Sequence, residues 1–358
     1  MNMDILEGDD FNQNNYELYE EIMDESDADW KTTPDMEVHS KMSEVDIENL
    51  EIFDGSEAIA WNFQDLPDEL ILKVLSYPKL KDLISSGQVS KRLRRISHDK
   101  SLWQRVNIYK KIVKAELLEF ILNKECKSLI IYDLIVLGSL SLHQKSQLKE
   151  LEFYCVENVE VVEEILSSCC SLEQLDLPGI EITPKMALDI CQNGKTLQRL
   201  NLCSSFVDEL RYMQIIKCCQ KLKEVFLEEG PLDCSHATLK FIAKNISPNL
   251  ERLGLDITDN HVKTLFSRCK KIKKLSLSVP LMTDDSLMNI KDNLNHTLEK
   301  LTLLCTENIS IFGLLKLKSM PRLKVLILDG GCFLNDEHEE ELEYLRMQLP
   351  NLTITDLT

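Results

Sequence analysis

A short apolar spacing, Leu-x-x-Leu-x-Leu, recurs along the last two-thirds of this 358-residue chain and constrains its fold more than any other feature. Its copies follow one another about every 25 residues. Strict copies begin at Leu172, Leu197, Leu250, Leu298 and Leu323, and copies with other apolar residues begin at Leu148, Leu222 and Ile272. A unit of this length holds one strand and one helix, and each unit buries its apolar side against its neighbours. The spacing therefore predicts a stacked α/β array with its leucines turned inward.

The residues that follow several strands have the chemistry of a helix start. Threonine can accept hydrogen bonds from free backbone N–H groups, proline suits the first helical position, and aspartate favours the positive end of a helix. These starts are Thr183-Pro184, Thr258-Asp259 and Thr283-Asp284. The whole pattern resembles the cysteine-containing leucine-rich repeats, over roughly residues 126–355. The resemblance implies a horseshoe-shaped solenoid, with parallel strands on its concave face and helices on its convex face.

The twelve cysteines are interpreted as packing residues rather than ligands. Four of them each lie three residues before an apolar residue that opens a repeat or a candidate repeat: Cys126, Cys169, Cys219 and Cys269. Cysteine packs as a small buried hydrophobe, and no Cys-x-x-Cys spacing occurs. We therefore expect no metal site and no cofactor. Leu129-Tyr132-Leu134 is predicted to be a degenerate first repeat and Leu352-Ile354 a truncated last one, so that the repeats occupy residues 126–358.

The net charge of −19 is concentrated at the N-terminus. Residues 1–60 carry 19 acidic and two basic side chains, whereas residues 61–358 carry 41 acidic and 39 basic ones. So acidic a segment cannot recover its ordering entropy by burial, and we predict a disordered tail. The nearly neutral remainder argues against a nucleic-acid partner. Without an apolar membrane span or a secretory signal, the expected location is the cytoplasm, the nucleus or both.

Residues 61–106 have the apolar periodicity of short helices. Leu66, Leu70, Ile71 and Val74 recur at helical spacing and form the stripe of the first one. About 45 residues cannot hide so many large side chains in a core of their own. Two alternatives follow: an exposed patch for a partner, or a helical cap packed on the first repeat. Residues 107–125 are predicted to form a connecting helix.

Four stretches of this segment fall in register with one known motif: Leu66-Pro67-x-Glu69-Leu70-Ile71, Leu80-x-x-Leu83, Val89-Ser90-Lys91-Arg92 and Asp99-x-x-Leu102-Trp103. Together they resemble an F-box. With the repeats, this resemblance implies a substrate receptor of an SCF-type cullin–RING ubiquitin ligase, which is not itself an enzyme. The F-box would dock on the S-phase-kinase-associated adaptor, and the repeats would bind the protein to be ubiquitinated. The adaptor-facing residues that it implies are Phe63, Leu66, Pro67, Leu70, Ile71, Val74, Leu80, Leu83 and Val89.

Three positions depart from the family pattern. Ser90 stands where cysteine is common, Leu93 replaces a usual tryptophan, and Pro78 replaces a frequent leucine. Loss of the tryptophan should thin the core of the F-box. Because leucine keeps that position apolar, we expect docking to survive.

The residue before the second leucine of each repeat should face the concave side, where a target would bind. This column reads Glu150, Gln174, Arg199, Glu224, Arg252, Lys274, Lys300 and Val325. Three successive cations, Arg252, Lys274 and Lys300, require a counter-charge, which an acidic or phosphorylated target would supply. Local screening by Asp256 and solvent is the alternative. A further hypothesis is that the acidic tail itself covers these cations.

Aromatic side chains also turn to the predicted concave face. Tyr154 and Phe226 are predicted to contact the target together with Arg199, because aromatic anchors commonly dominate binding energy. Residues 330–358 are expected to fold back over Val325 and Ile327. No catalytic or phosphate-binding motif occurs, which makes an enzyme the least favoured class. The main rival interpretation is a protein-binding scaffold with no role in ubiquitination.

Overall fold

A computed structural model of the chain describes residues 66–156, 158–228, 235–256, 258–278, 282–304, 308–329 and 339–357. The predicted acidic tail, residues 1–60, and the candidate contact Phe63 lie outside the described residues. The described part begins with short helices and continues as alternating strands and helices. None of the helices in these ranges is long and apolar enough to cross a membrane.

Three helices and a short 3-10 helix open the fold: α1 Asp68–Leu75, α2 Leu80–Val89, α3 Lys91–Ser97 and η1 Lys100–Trp103. Pro67 immediately precedes α1 with the fixed φ that suits a helix start. Ser90 caps α3 by accepting a hydrogen bond from the backbone N–H of Leu93, at 3.1 Å. The residue that departs from the family pattern at position 90 therefore has a structural role of its own.

The solenoid consists of strands in strict chain order, each next to its sequence neighbour. Within the described ranges they are β1 Arg105–Lys114, β2 Ser128–Leu137, β3 Glu150–Val156, β4 Gln174–Asp176, β5 Arg199–Asn201, β6 Glu224–Leu227, β7 Arg252–Leu255, β8 Lys274–Ser278, β9 Lys300–Leu304, β10 Val325–Asp329 and β11 Thr353–Leu357. The pairs from β1 through β10 are parallel. The predicted solenoid of parallel strands is confirmed.

Helices connect the strands, as a parallel sheet requires. They are α4 Ala115–Asn123, α5 Val159–Ser168, α6 Pro184–Asn193, α7 Glu209–Cys218, α8 His236–Asn245, α9 Asp259–Arg268, α10 Asp284–Leu294, α11 Ile311–Leu315 and α12 Glu339–Gln348, with a 3-10 turn, η2 Lys316–Ser319, after α11. Thr183 and Thr283 cap α6 and α10 as predicted. Thr258 also occupies the N-cap position of α9, so the predicted helix start is right, but its side chain makes no cap hydrogen bond there.

The predicted connecting helix over residues 107–125 is partly wrong, because residues 105–114 form β1 and the helix begins only at Ala115. Val106 pairs with Leu129, and Leu129 pairs with Leu151. Trp103-Val106-Ile108 therefore repeats the apolar spacing, with Trp103 in the first leucine position. The extended β1 exposes Ile112 and buries Val113, the two-residue alternation of a strand.

The degenerate repeat also begins three residues earlier than predicted. Because Leu129 pairs with the second leucine of the next repeat, the spacing reads Cys126-Leu129-Ile131. Cys126 itself occupies the first position and is fully buried. Tyr132 consequently turns outward instead of into the core. At the other end, Leu349-Leu352-Ile354 completes a last repeat, and β11 follows β10 in the sheet, so residues 339–357 extend the solenoid and do not fold back across it. The rest of the segment that was expected to cover Val325 and Ile327, residues 330–338 and 358, lies outside the described residues.

One continuous core runs through the described residues, from the first helices to the last strand. Trp103 joins the two parts: its indole Nε1 donates to the carbonyl oxygen of Ser97 at 2.8 Å, and its ring meets Phe120 edge-on at 4.9 Å. The four cysteines named above are buried, and burial raises the pKa of each thiol to about 12. Such thiols remain protonated at neutral pH, which agrees with a packing role.

Acidic side chains tie the helix starts of the convex face together. Asp284 accepts from the backbone N–H and the hydroxyl of Ser310, at 2.9 and 2.6 Å, across to the next helix. Asp259 likewise accepts from the backbone N–H and the hydroxyl of Thr283, and Glu163 accepts from the hydroxyl of Thr183. Each carboxylate lies near the positive end of a helix while satisfying donors of its neighbour. This pattern holds successive repeats in register.

Candidate functional site

Apolar side chains of the first helices remain exposed and form the first candidate surface. Leu70 and Val74 lie one turn apart on α1, with exposed fractions of 50% and 45%, and Tyr77 follows at 57%. Val89, at the end of α2, is also exposed. We call these four side chains the N-terminal apolar surface. Exposed apolar side chains on so short a domain are typical of a surface that binds a partner protein.

Several of the predicted adaptor-facing residues instead belong to the core. Ile71 is 1% exposed and Leu83 is 4% exposed, so neither can contact a partner in the folded domain. Ile71 follows Leu70 by about 100° around the helix, which turns it inward. Leu66 and Leu80 are partly buried and pack against the core, whereas Pro67 is exposed just before α1.

Two arginines of α3 fix the orientation of α1. Arg92 donates to a carboxylate oxygen of Asp68 and to the carbonyl oxygen of Leu66, both at 2.7 Å, and Arg95 also pairs with Asp68. The hydrogen bond from Arg92 holds the pKa of Asp68 below its usual value. Arg92 and Arg95 therefore have a structural role within this domain.

The concave face is the second candidate surface, and its strand register confirms the predicted column. Gln174 pairs with Arg199, Arg199 with Glu224, and Glu224 with Arg252. Lys274 and Lys300 continue the same row. A second outward row, two residues further along each strand, runs through Glu152, Asp176, Asn201, Phe226, Gly254, Ser276, Thr302 and Ile327.

Three stacked tyrosines line the beginning of the concave face. Tyr109 pairs with Tyr132, and Tyr132 with Tyr154, on successive strands. Their ring centroids lie 4.9 and 4.5 Å apart, with interplanar angles of 13° and 6°. We call these three rings the tyrosine ladder. Burial raises the pKa of Tyr132 and Tyr154, so both hydroxyls stay protonated near neutral pH.

A cluster of buried charges adjoins the ladder. The Arg199 guanidinium donates to Asp176, with Nη2 3.0 Å from the carboxylate, and its Nη1 lies 3.3 Å from Glu224. Burial opposes the charge of Arg199, but these two carboxylates outweigh burial and raise its pKa. Arg199 was predicted to contact the target. The structure corrects this, because both acids already hold it and its side chain is only 16% exposed.

Glu152 is the less compensated member of this cluster. It is 5% exposed, and the Tyr154 hydroxyl donates to it at 3.2 Å. Burial and the neighbouring charge of Asp176 raise the pKa of Glu152 to about 7. No ion pair reaches Glu152 or Glu150 from any residue that the structure describes. This end of the concave face therefore has an excess of carboxylate.

The three predicted cations lie side by side on β7, β8 and β9. Arg252 reaches Glu224 at 3.7 Å, and Lys300 is 9% exposed, so its stem is mostly buried. Glu228 crowds this region, since a Cβ at Gly254 would collide with its carboxylate. Phe226 lies between the acidic and basic parts of the face, 5.5 Å from the Arg199 guanidinium. Tyr154 and Phe226 are half-buried on the surface where they were predicted.

Sequence reasoning missed Tyr77, Tyr109, Tyr132 and Glu152. For the tyrosines, a signal existed: one residue type recurs at the same slot of three successive repeats, once the first two repeats are recognised. Among the described residues, no group of three or more His, Cys, Asp or Glu side chains could hold a metal ion. The arrangement offers shape, aromatic surface and charge, which suit binding.

The described residues combine a small helical domain with an α/β solenoid of parallel strands. Residues 63–109 match the F-box-like family, so the chain combines an F-box-like domain with leucine-rich repeats. An FBD-associated F-box protein of Arabidopsis thaliana is 22% identical over 340 residues, covering 78% of this chain and 84% of the relative. A chain of the crystal structure of the yeast Rad7 and Elc1 complex matches with a TM-score of 0.42 and 15% identity, over 80% of this chain and 87% of that one.

Proposed function

We propose that this chain is a non-catalytic substrate-recognition subunit of an SCF-type ubiquitin ligase, acting in the cytoplasm or the nucleus. The F-box-like domain docks on the S-phase-kinase-associated adaptor, and the concave face of the repeats holds the target protein. One observation carries the proposal: the segment that matches the F-box-like family also presents bare apolar side chains on α1. An adaptor-binding domain must present an apolar surface that its partner can bury, and α1 presents such a surface.

The docking contact is centred on Leu70 and Val74. Burying a half-exposed aliphatic side chain contributes about 1 kcal/mol, so a few such residues form the centre of an interface. The ion pairs of Asp68 with Arg92 and Arg95 keep α1 in place, so the surface exists before the partner arrives. This preorganisation lowers the entropic cost of docking.

Target binding is assigned to the concave face, where Arg252 and Lys274 of the basic row face the partner. Lys300, predicted to be a third contact, is mostly buried. An acidic or phosphorylated segment would add carboxylate or phosphate oxygens to these cations. Phe226, half-buried beside the row, supplies an aromatic contact. The chain performs no chemistry of its own; it raises the effective concentration of target lysines near a ubiquitin-loaded conjugating enzyme.

The test is affinity purification of the tagged full-length protein from cells. We expect adaptor and cullin to co-purify, and the double substitution Leu70→Asp with Val74→Asp to abolish both while the melting temperature is kept. A matched control is Leu188→Asp with Leu210→Asp, which alters residues of similar or greater exposure on α6 and α7. Failure of the wild-type protein to bring down the adaptor would refute the ligase role.

A stand-alone scaffold is the second candidate, and the packing of Trp103 favours it. Since this residue belongs to both the F-box-like segment and the first repeat, the N-terminal helices also cap the end of the solenoid. In that case the wild-type protein would retain a target partner in the same purification without adaptor or cullin.

A further inference from the structure

We propose that Cys191 and Cys218 form an oxidative modification site, in which a peroxide converts their two thiols into a disulfide that links α6 to α7. This inference concerns the helices of the solenoid and does not depend on the proposed ligase role. The two residues belong to successive repeats, Cys191 within α6 and Cys218 at the last position of α7. Both are free thiols in the structure.

The two thiols are already in contact. The side chain of Cys218 is hydrogen-bonded to that of Cys191. Cys219, the next residue in the chain, has its Sγ 4.0 Å from the carbonyl oxygen of Ile190, so the end of α7 lies against the last turn of α6. Joining the two sulfur atoms therefore requires a rotation of side chains and a small backbone shift, and no refolding of either repeat.

Gly194 explains why the ends of the two helices come so close. A Cβ at this position would lie only 2.8 Å from the carbonyl oxygen of Cys218, so a larger residue would force α7 away from α6. Cys191 precedes Gly194 by three residues and lies on the same side of α6. A disulfide requires Cα atoms within about 7 Å of each other, and this close approach of the two backbones favours such a distance.

Exposure and pKa assign different roles to the two cysteines. Cys218 is exposed, whereas Cys191 is partly buried. Burial, and then the hydrogen bond with Cys218, raises the pKa of the Cys191 thiol. Because the thiolate is the reactive form, Cys191 itself resists a peroxide. Cys218 therefore reacts first, and Cys191 acts as the resolving thiol.

The reaction takes place in two steps, written here for hydrogen peroxide. The sulfur of Cys218 attacks one peroxide oxygen and the O–O bond breaks, which leaves a sulfenic acid on Cys218 and releases water. The sulfur of Cys191 then attacks the sulfur of Cys218 and displaces hydroxide, which leaves as water with the proton of Cys191. The two thiols lose two electrons in total, and the peroxide is reduced to two water molecules. Because the thiols are already in contact, the second step is intramolecular and fast.

The disulfide would join two repeats that contribute to the concave face. The strand before α6 is β4, which carries Asp176, and the strand before α7 is β5, which carries Arg199. A bond between Cys191 and Cys218 closes a loop of about 28 residues and so lowers the conformational entropy of the unfolded chain. The oxidised protein should therefore be more resistant to unfolding than the reduced protein.

The first test is mass spectrometry of the full-length protein after reduction, desalting and treatment with hydrogen peroxide. Trypsin without reductant should release the peptide 186–195 linked to the peptide 218–221. The second peptide also contains Cys219, so the variant Cys218→Ser assigns the bond and should abolish the linked pair. Cys170→Ser, which replaces another exposed cysteine, should leave the linked pair unchanged.

Thermal unfolding is the second test. Oxidation should raise the melting temperature of the wild type and of Cys170→Ser by about 5 °C, and dithiothreitol should reverse the rise. The rise should be absent in Cys218→Ser. Because Cys218 is exposed, we expect this variant to fold, with circular dichroism as the check.

Three results would overturn the inference. The first is an oxidised wild type without the linked peptides, and the second is a linked pair that persists in Cys218→Ser, since Cys219 would then be the partner of Cys191. The third is a cross-linked wild type whose melting temperature does not rise.

Discussion

The Arg199 guanidinium donates to both carboxylate oxygens of Asp176, whose side chain has no exposed surface. Removing the partner of a buried ion pair leaves an uncompensated buried charge and destabilises a protein by about 3–5 kcal/mol. We therefore expect Arg199→Met to lower the free energy of unfolding by this amount in a denaturant titration. Lys273→Met is the control: its pair with Glu251, at 2.7 Å, is about half exposed and should cost less than about 1 kcal/mol. Similar losses in both variants would contradict the structural role of Arg199.

The burial of Ile71 separates folding from docking in the F-box-like domain. Ile71→Ala creates a cavity and should destabilise the protein by roughly 2–4 kcal/mol. Leu70→Ala removes a half-exposed side chain and should cost about 1 kcal/mol or less while weakening adaptor binding. Thermal melting and adaptor pull-down on both variants check this. If Leu70→Ala were the more destabilising change, the assigned faces of α1 would be reversed.

Glu152 should make stability depend on pH. Its pKa is raised from 4.5 to about 7, so the folded state binds the proton more tightly than the unfolded state. This group therefore stabilises the fold least at high pH: its contribution declines as pH rises from 4.5 to 7. Glu152→Gln should match the wild type near pH 4.5 and exceed it above pH 7 by roughly 3 kcal/mol. Glu173→Gln, an exposed carboxylate, serves as the control. A constant difference across this range would argue against a raised pKa.

His261 should add a pH dependence of opposite sign. It is 3% exposed, and its Nε2 lies 3.1 Å from Nδ1 of His236. Burial, then the charges of His236 and Lys240, lower its pKa from 6.5. The folded state therefore disfavours the protonated ring, and its stability should fall as pH drops below 6.5. We expect His261→Gln to flatten this decline between about pH 7.5 and 5.5, with the exposed His143→Gln unchanged from wild type. An equally steep decline in the His261 variant would refute the assignment.

Gly313 is required by the capping contact between α10 and α11. A Cβ at this position would collide with the Asp284 carboxylate, which accepts two hydrogen bonds from Ser310. Gly313→Ala should therefore destabilise the protein by about 1–2 kcal/mol, although alanine is the better helix former. In an Asp284→Ala background, the same substitution should be neutral or stabilising. Thermal unfolding of the four proteins of this double-mutant cycle checks the coupling; additive effects would exclude it.

The apolar repeat was predictable from the sequence because burial of strand leucines leaves a fixed spacing. The repeats at Trp103 and Cys126 were missed because tryptophan, cysteine, valine and isoleucine replace the leucines there. In β1, the apolar run Ile112-Val113 also fits a helix as well as a strand. Strand pairing through Val106 and Leu129 removes that ambiguity, and pairing is a long-range property that spacing alone does not contain.

The sequence allowed us to predict which residues form the rows of the concave face, but not how deeply each side chain is buried. Counting from the leucines correctly placed Arg199, Arg252, Lys274 and Lys300 on one row. Whether a polar side chain there is bare or buried depends on the neighbours that the curved sheet brings against it. Asp176 and Glu152 are consequently hidden, although they occupy outward positions. On α1, in contrast, helical spacing alone could have separated Leu70 from Ile71.

Trp103 has a practical consequence for any study of cellular targets. Deleting the F-box-like segment through Trp103 would remove the indole together with the helices that cover the first strand, and would expose the apolar end of the solenoid. If such a shortened protein failed to bind its target, the cause could be damage to the concave face and would not show that the protein has no ligase role. Substitutions at Leu70 and Val74, which leave the packing of Trp103 intact, are the appropriate negative control.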